Sequence, residues 1–188
     1  MSDNQLTVGI YERTYHPIYL YTIALLVINN KCRVIIFSNE SNCRDLLYLL
    51  DNSKHKYIEI VKKSENESEF SFLRHISNLY FTEIDVLFIN SIQGGLIEHQ
   101  LPFLLINLPG RVVLSIHNPL QWQEIENTFS IKILLEFCIK TLILKRINHI
   151  IVVAAKIKEA LKEKAFFKNQ KVHYIPFALP INTDLNKK

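Results

Sequence analysis

The sequence predicts an α/β domain built on a parallel sheet of about seven strands with helices on both faces. Three observations predict it. Short runs rich in Val and Ile recur along the chain with helix-patterned segments between them. Most of those runs are apolar throughout, as strands covered on both faces must be. The length, 188 residues at 48% hydrophobic content, suits one full core and is short for two such domains.

Taken in order, the strands are Val8 to Tyr11, Val34 to Phe37, Tyr57 to Val61, Val86 to Ile89, Val112 to Ile116, Ile150 to Val153 and Val172 to Ile175. The third carries Glu59 in its middle and belongs nearer an edge than Ile150-Ile151-Val152-Val153 does. Pro17 suits the first position of a helix running to about Asn29, where its missing N–H costs nothing. Helices follow at Asn42 to Leu50 and Glu67 to Phe81, then at Leu96 to Leu108, interrupted by Pro102. The longest spans Ile131 to Arg146. Its polar stripe of Lys132, Glu136 and Lys140 leaves Ile133, Leu134, Phe137, Leu142 and Leu144 for the sheet. In the last, Lys156 to Lys164, Ile157, Ala160 and Leu161 form the apolar side. Strands alternating with helices in this way are Rossmann-like. The domain is expected over residues 1–180, with 181–188 a polar tail or the stump of an interdomain linker.

Composition removes several classes of function. Cys32, Cys43 and Cys138 are odd in number and widely spaced, so neither a disulfide framework nor a zinc ribbon is signalled, and a reducing cytoplasm fits best. The polar start lacks the basic and apolar regions of a secretory signal. The apolar stretch from Pro17 to Asn30 is too short to span a bilayer. From Lys145 onward there are ten Lys/Arg against three Asp/Glu, which leaves twelve against fifteen in residues 1–144. This basic C-terminal third reads as a solvated helix face or as a peripheral contact with an anionic membrane; no nucleic-acid partner is predicted.

In an open parallel sheet, ligands sit beyond the carboxyl ends of the strands where the strand order reverses. The loops at that rim are Glu12 to His16, Asn90 to Gly95, and His117-Asn118-Pro119. The first holds Glu12 and Arg13 where a dinucleotide-binding protein would carry G-x-G-x-x-G, and no Walker A sequence is present, so NAD and P-loop chemistry are not expected. Gly94-Gly95 is the only glycine pair and allows either a close backbone approach to a ligand or a plain turn. His117 ends an apolar strand and projects at the rim with Asn118 beside it. The seven histidines show no metal-ligand spacing, and no metal or cofactor is predicted.

Four later blocks resemble a known family: Asp85-Val86-Leu87-Phe88-Ile89-Asn90, Arg111-Val112-Val113-Leu114-Ser115-Ile116-His117-Asn118, Leu144-Lys145-Arg146-Ile147-Asn148-His149-Ile150-Ile151-Val152-Val153, and Lys171-Val172-His173-Tyr174-Ile175-Pro176. Their order and spacing resemble the N-terminal domain of retaining GT-B glycosyltransferases of the family 4 type. The resemblance implies transfer of a sugar from a nucleotide-sugar, which would be a substrate, to a glycan or lipid-linked acceptor, in the cytoplasm or peripherally at the membrane. It makes His117 the catalytic-cleft residue, with Asn118 beside it; Glu12, Arg13, Gly94 and Gly95 are expected substrate contacts from their place at the rim, since the family's contacts in the first loop do not carry over to a glycine-free one. It also implies a separate C-terminal donor half, without which the chain alone is inactive. The alternative expectation is a non-catalytic binding or partner subunit. Departures from the family pattern stand at the glycine-free first loop, at Ala154 and at Phe177-Ala178.

Overall fold

The structure is a computed structural model, which describes residues 5–90, 108, 110–116, 138, 141–142, 144–163 and 167–176. Seven strands are present in chain order: β1 (Thr7–Glu12), β2 (Arg33–Asn39), β3 (Ile58–Lys63), β4 (Val86–Asn90), β5 (Arg111–Ile116), β6 (Ile147–Val152) and β7 (Lys171–Tyr174). Every pairing is parallel, and the order across the sheet is β3-β2-β1-β4-β5-β6-β7. This is the α/β Rossmann-like sheet that the Val/Ile runs predict, with all seven strands at the expected places. β3 lies at an edge, as Glu59 requires, and β6 lies inside.

Side chains alternate between two cores. Val8, Ile10, Val34, Ile36 and Phe88 pack under α1 (Pro17–Asn29) and α2 (Glu40–Leu49). Tyr11, Ile35, Phe37, Leu87 and Ile89 pack on the opposite face with Phe72, Leu73 and Ile76 of α3 (Glu69–Tyr80) and Leu161 of α4 (Ala155–Lys162). The period of two in the strands therefore meets the helical period on both sides of the sheet. α1 begins on Pro17 as expected. It ends in a closing turn in which Lys31 N–H bonds Ile28 O at 2.9 Å and Cys32 N–H bonds Val27 O at 3.2 Å, with Lys31 at φ 60°.

Gly9 is a position where β1 cannot carry a side chain freely, since a Cβ there would stand 2.8 Å from Ile84 Cδ1 and 3.1 Å from Phe37 Cε2. At Gly110, just before β5, a Cβ would stand 2.4 Å from the carbonyl oxygen of Asp85. The backbones meet there, and Arg111 N–H donates to that same oxygen at 2.8 Å.

The expected helix from Leu96 to Leu108 and residues 181–188 lie outside the described residues, apart from Leu108, which is buried. Of the expected helix from Ile131 to Arg146, the described residues from Cys138 to Arg146 are helical. Leu144 packs in the core as expected, but Leu142 is 55% exposed, which corrects its placement on the sheet-facing side. No helix among the described residues is long and apolar enough to cross a membrane.

Candidate functional site

Parallel register builds a polar row across the middle of the sheet, one level below its carboxyl rim. Ser38 of β2 pairs with Glu12 of β1, Glu12 with Asn90 of β4, and Asn90 with Ser115 of β5. All four lie on the α1 side of the sheet by strand alternation and are buried, at 1%, 0%, 0% and 1% exposure respectively. Four aligned polar residues in an apolar sheet demand partners. Asn90 Nδ2 donates to Glu12 Oε2, Ser38 Oγ donates to Glu12 O at 2.6 Å, and Ser115 Oγ bonds the Tyr19 hydroxyl of α1.

The loop from Glu12 into α1 is fixed on this row. Thr14 gives both its N–H (2.7 Å) and its hydroxyl (2.8 Å) to Glu12 Oε1. Asn42, in the first turn of α2, donates through Nδ2 to Thr14 O at 2.6 Å and to Ser38 Oγ at 3.0 Å, and accepts His16 N–H at 3.2 Å. Asn39 caps α2 by accepting Asn42 N–H at 2.9 Å, which holds that amide in place. The loop is therefore preorganised by side-chain bonds and not by glycines.

His16 closes the site. Its Nδ1 lies 2.7 Å from Thr14 Oγ1 and 3.7 Å from Glu12 Oε1, and its side chain is 34% exposed. A continuous path thus runs from solvent through the imidazole and the Thr14 hydroxyl to a carboxylate that water does not reach. Burial pushes the Glu12 carboxyl above its ordinary value, against the lowering effect of the bonds from His16 and Thr14. Hydrogen bonding to Glu12 in turn pushes His16 up, against its partial burial. Burial thus holds a proton on Glu12, and Glu12 holds one on His16, to higher pH than is ordinary for each group.

Of the residues expected at the site, Glu12 and Arg13 are described: Glu12 is at the centre and Arg13 is exposed on the same loop, with its carbonyl accepting Asn39 Nδ2 at 3.4 Å. Gly94, Gly95, His117 and Asn118 lie outside the described residues. Ser38, Asn42, Asn90 and Ser115 are not marked in the sequence, because their partners are set by elements far apart along the chain, and Thr14 and His16 bond Glu12 locally in a loop whose shape no sequence pattern states. A shallow pocket lined by Gln5, Arg33, Lys56, Tyr57, Ile58 and Glu59 lies at the opposite, amino end of β2 and β3. The coupled Glu12 and His16 lie at the rim, whereas in this pocket Arg33 is already paired with Glu59 and Glu83. Among the described residues, no group of three or more His, Cys, Asp or Glu comes together for a metal ion.

No protein-family model matches the chain, and no curated protein matches it in sequence. Among solved structures, the fold is similar to the crystal structure of a "putative short-chain alcohol dehydrogenase" from Burkholderia multivorans. The TM-score is 0.51 and the identity 12%, over 92% of this chain and 96% of that one. Likeness at that identity carries the fold.

The resemblance to GT-B glycosyltransferases does not stand beside these findings. The four blocks that suggested it are the strands β4, β5, β6 and β7 with their flanks. What β4, β5 and β6 share with that family is the apolar run that any buried parallel strand requires, and β7 is a short, mostly exposed edge strand. The solved neighbour that shares this architecture carries a dehydrogenase's name and matches over nearly its whole length. The glycosyltransferase half, its sugar-transfer activity, its role in polysaccharide synthesis and the alternative of a partner subunit derived from it are corrected accordingly.

Proposed function

We propose that the chain binds a small polar molecule in the crevice beyond the carboxyl ends of β1 and β4 and moves a proton there. His16 is the acid–base group and Glu12 is the buried carboxylate that positions it. The observation that carries this reading is the aligned row Ser38, Glu12, Asn90 and Ser115, whose hydrogen bonds fix the His16 loop at the point where strand order reverses. As a base, His16 takes a proton from the bound molecule, and Glu12 at 3.7 Å stabilises the imidazolium that results. Arg13, exposed on the same loop, suits a molecule with an acidic or strongly accepting group. Gly94, Gly95, His117 and Asn118, which lie outside the described residues, remain expected contacts of this proposal by their place in the sequence after β4 and β5.

A panel of hydroxy acids, amino acids and polyols, screened by ligand-observed NMR, tests the reading. Binding of a hit is expected to weaken roughly tenfold in His16→Gln and in Arg13→Ala, the loss of one charge-assisted hydrogen bond. Hits that bind both variants as tightly as the native chain would remove the site from the rim.

A second reading, dinucleotide-dependent alcohol oxidation, is favoured by the sheet order and by the name of the Burkholderia protein. Against it, the amino end of α1, where a pyrophosphate would lie, is approached by a glycine-free loop with a buried carboxylate beneath it. Saturable binding of NAD or NADP in the same screen, indifferent to His16→Gln, would replace the first reading with the second.

A further inference from the structure

Outside the rim, the last two strands bring together a second pair of groups. His149 on β6 and His173 on β7 lie on the same face as Ile151, diagonal to one another across the parallel ladder in which Ile151 pairs with His173. Their ring planes differ by 23° with centroids 5.3 Å apart, and the rings meet edge to edge, His149 Nδ1 lying 3.0 Å from His173 Nε2. Both rings are accessible from solvent. This pair sits three and four strand places from β1 and takes no part in the Glu12 network.

We propose that His149 and His173 chelate a borderline transition-metal ion such as Cu²⁺, Ni²⁺ or Zn²⁺, with water in the remaining positions. Two imidazole nitrogens bound to a common ion at about 2.0–2.1 Å, and subtending roughly 90–110° at it, stand about 2.9–3.4 Å apart. The 3.0 Å separation meets the distance, while centroids 5.3 Å apart set the two nitrogens head-on along one line, so each exposed ring turns to aim its lone pair at the shared ion. The spacing 149/173 is invisible to motifs along the chain, because strand pairing and not sequence proximity creates it.

The chemistry is consistent. In the metal-free pair one of the two facing nitrogens carries the shared proton. Metal binding needs that proton to move to the other nitrogen of the same ring, so both rings stay neutral and no proton is lost. Lys171 of β7 and Arg111 of β5 face an incoming cation unfavourably, so binding should tighten with added salt, which screens them. Imidazole donors place the ions in the order Cu²⁺ above Ni²⁺ and Zn²⁺.

Titration calorimetry with each metal, together with the nitrogen hyperfine pattern of bound Cu²⁺, tests the pair. The native chain is expected to show one class of site with two coordinated imidazoles. His149→Asn and His173→Asn should each weaken it by at least about tenfold, and His75→Asn, on the exposed side of α3, should leave it unchanged. Native affinity in either His149→Asn or His173→Asn overturns the proposal, as does a one-nitrogen spectrum in the native chain. His173→Gln, at an exposed position on an edge strand, repeats the comparison with a second side chain and settles any doubt over folding of the asparagine variant.

Discussion

His16 stands between water and a carboxylate that water does not reach, and its behaviour follows from that position. Replacing Glu12 by Gln keeps the shape and a carbonyl for the Asn90 amide but removes the charge that raises the imidazole. The His16 pKa is therefore expected to fall toward the ordinary value, read as an upfield-to-downfield imidazole titration in proton NMR; an unchanged midpoint would separate the two groups. The sign for stability follows from the same shifts. Both folded-state values lie above their unfolded ones, so the stabilisation is complete at low pH and is lost as pH rises from near 4.5, the ordinary Glu12 value, through the raised ones. Between about pH 5 and pH 8 the native chain should thus lose more melting temperature than Glu12→Gln does. Glu12 is legible in the sequence as a carboxylate at the rim, but its burial and its bonds are not, and His16 before Pro17 looks like an ordinary helix-entry residue.

Among the elements, β1 and the strands beside it tolerate change unequally. A methyl group at Gly9 would meet the end of the Ile84 side chain, which can swing aside, whereas at Gly110 it would meet the backbone of Asp85. Gly110 cannot retreat, since its own carbonyl accepts Arg146 Nη2 at 2.9 Å and the next N–H is bonded to Asp85. Gly110→Ala is expected to cost about 3 kcal/mol or more and Gly9→Ala about 1 kcal/mol, the upper and lower ends of the range for overpacking. Urea denaturation of the two variants checks the order, and equal midpoints would contradict it. The inner strands were legible because buried parallel strands must be apolar, and the edge position of β3 was legible in Glu59. Register was not. Glu12 and Asn90 are neighbours only because β4 lies against β1, and no local pattern states how far two such strands slide before they lock. The same reasoning explains the misleading glycosyltransferase blocks: they record what a buried strand needs, and that is common to many proteins of this architecture.

At the scale of the whole molecule, the order β3-β2-β1-β4-β5-β6-β7 leaves two edges, each with one side unpaired among the described residues. Amide hydrogen exchange is expected to be slowest in β1, β2 and β4, which are bonded on both sides and packed on both faces, and fastest in β3 and in β7, a strand of only four residues. Protection in β7 equal to that in β1 would place a further element over that edge. The sheet order also has a consequence for synthesis. β1 finds β2 early, but its other neighbour is β4, and Asn90 follows Glu12 by 78 residues. A nascent chain that has emerged only as far as α3 therefore holds one flank of β1 open and the carboxylate of Glu12 without its amide donor. Completion of the rim is deferred until the fourth strand is translated, and until then the half-made sheet presents an apolar, unpaired ribbon that chaperones are suited to cover.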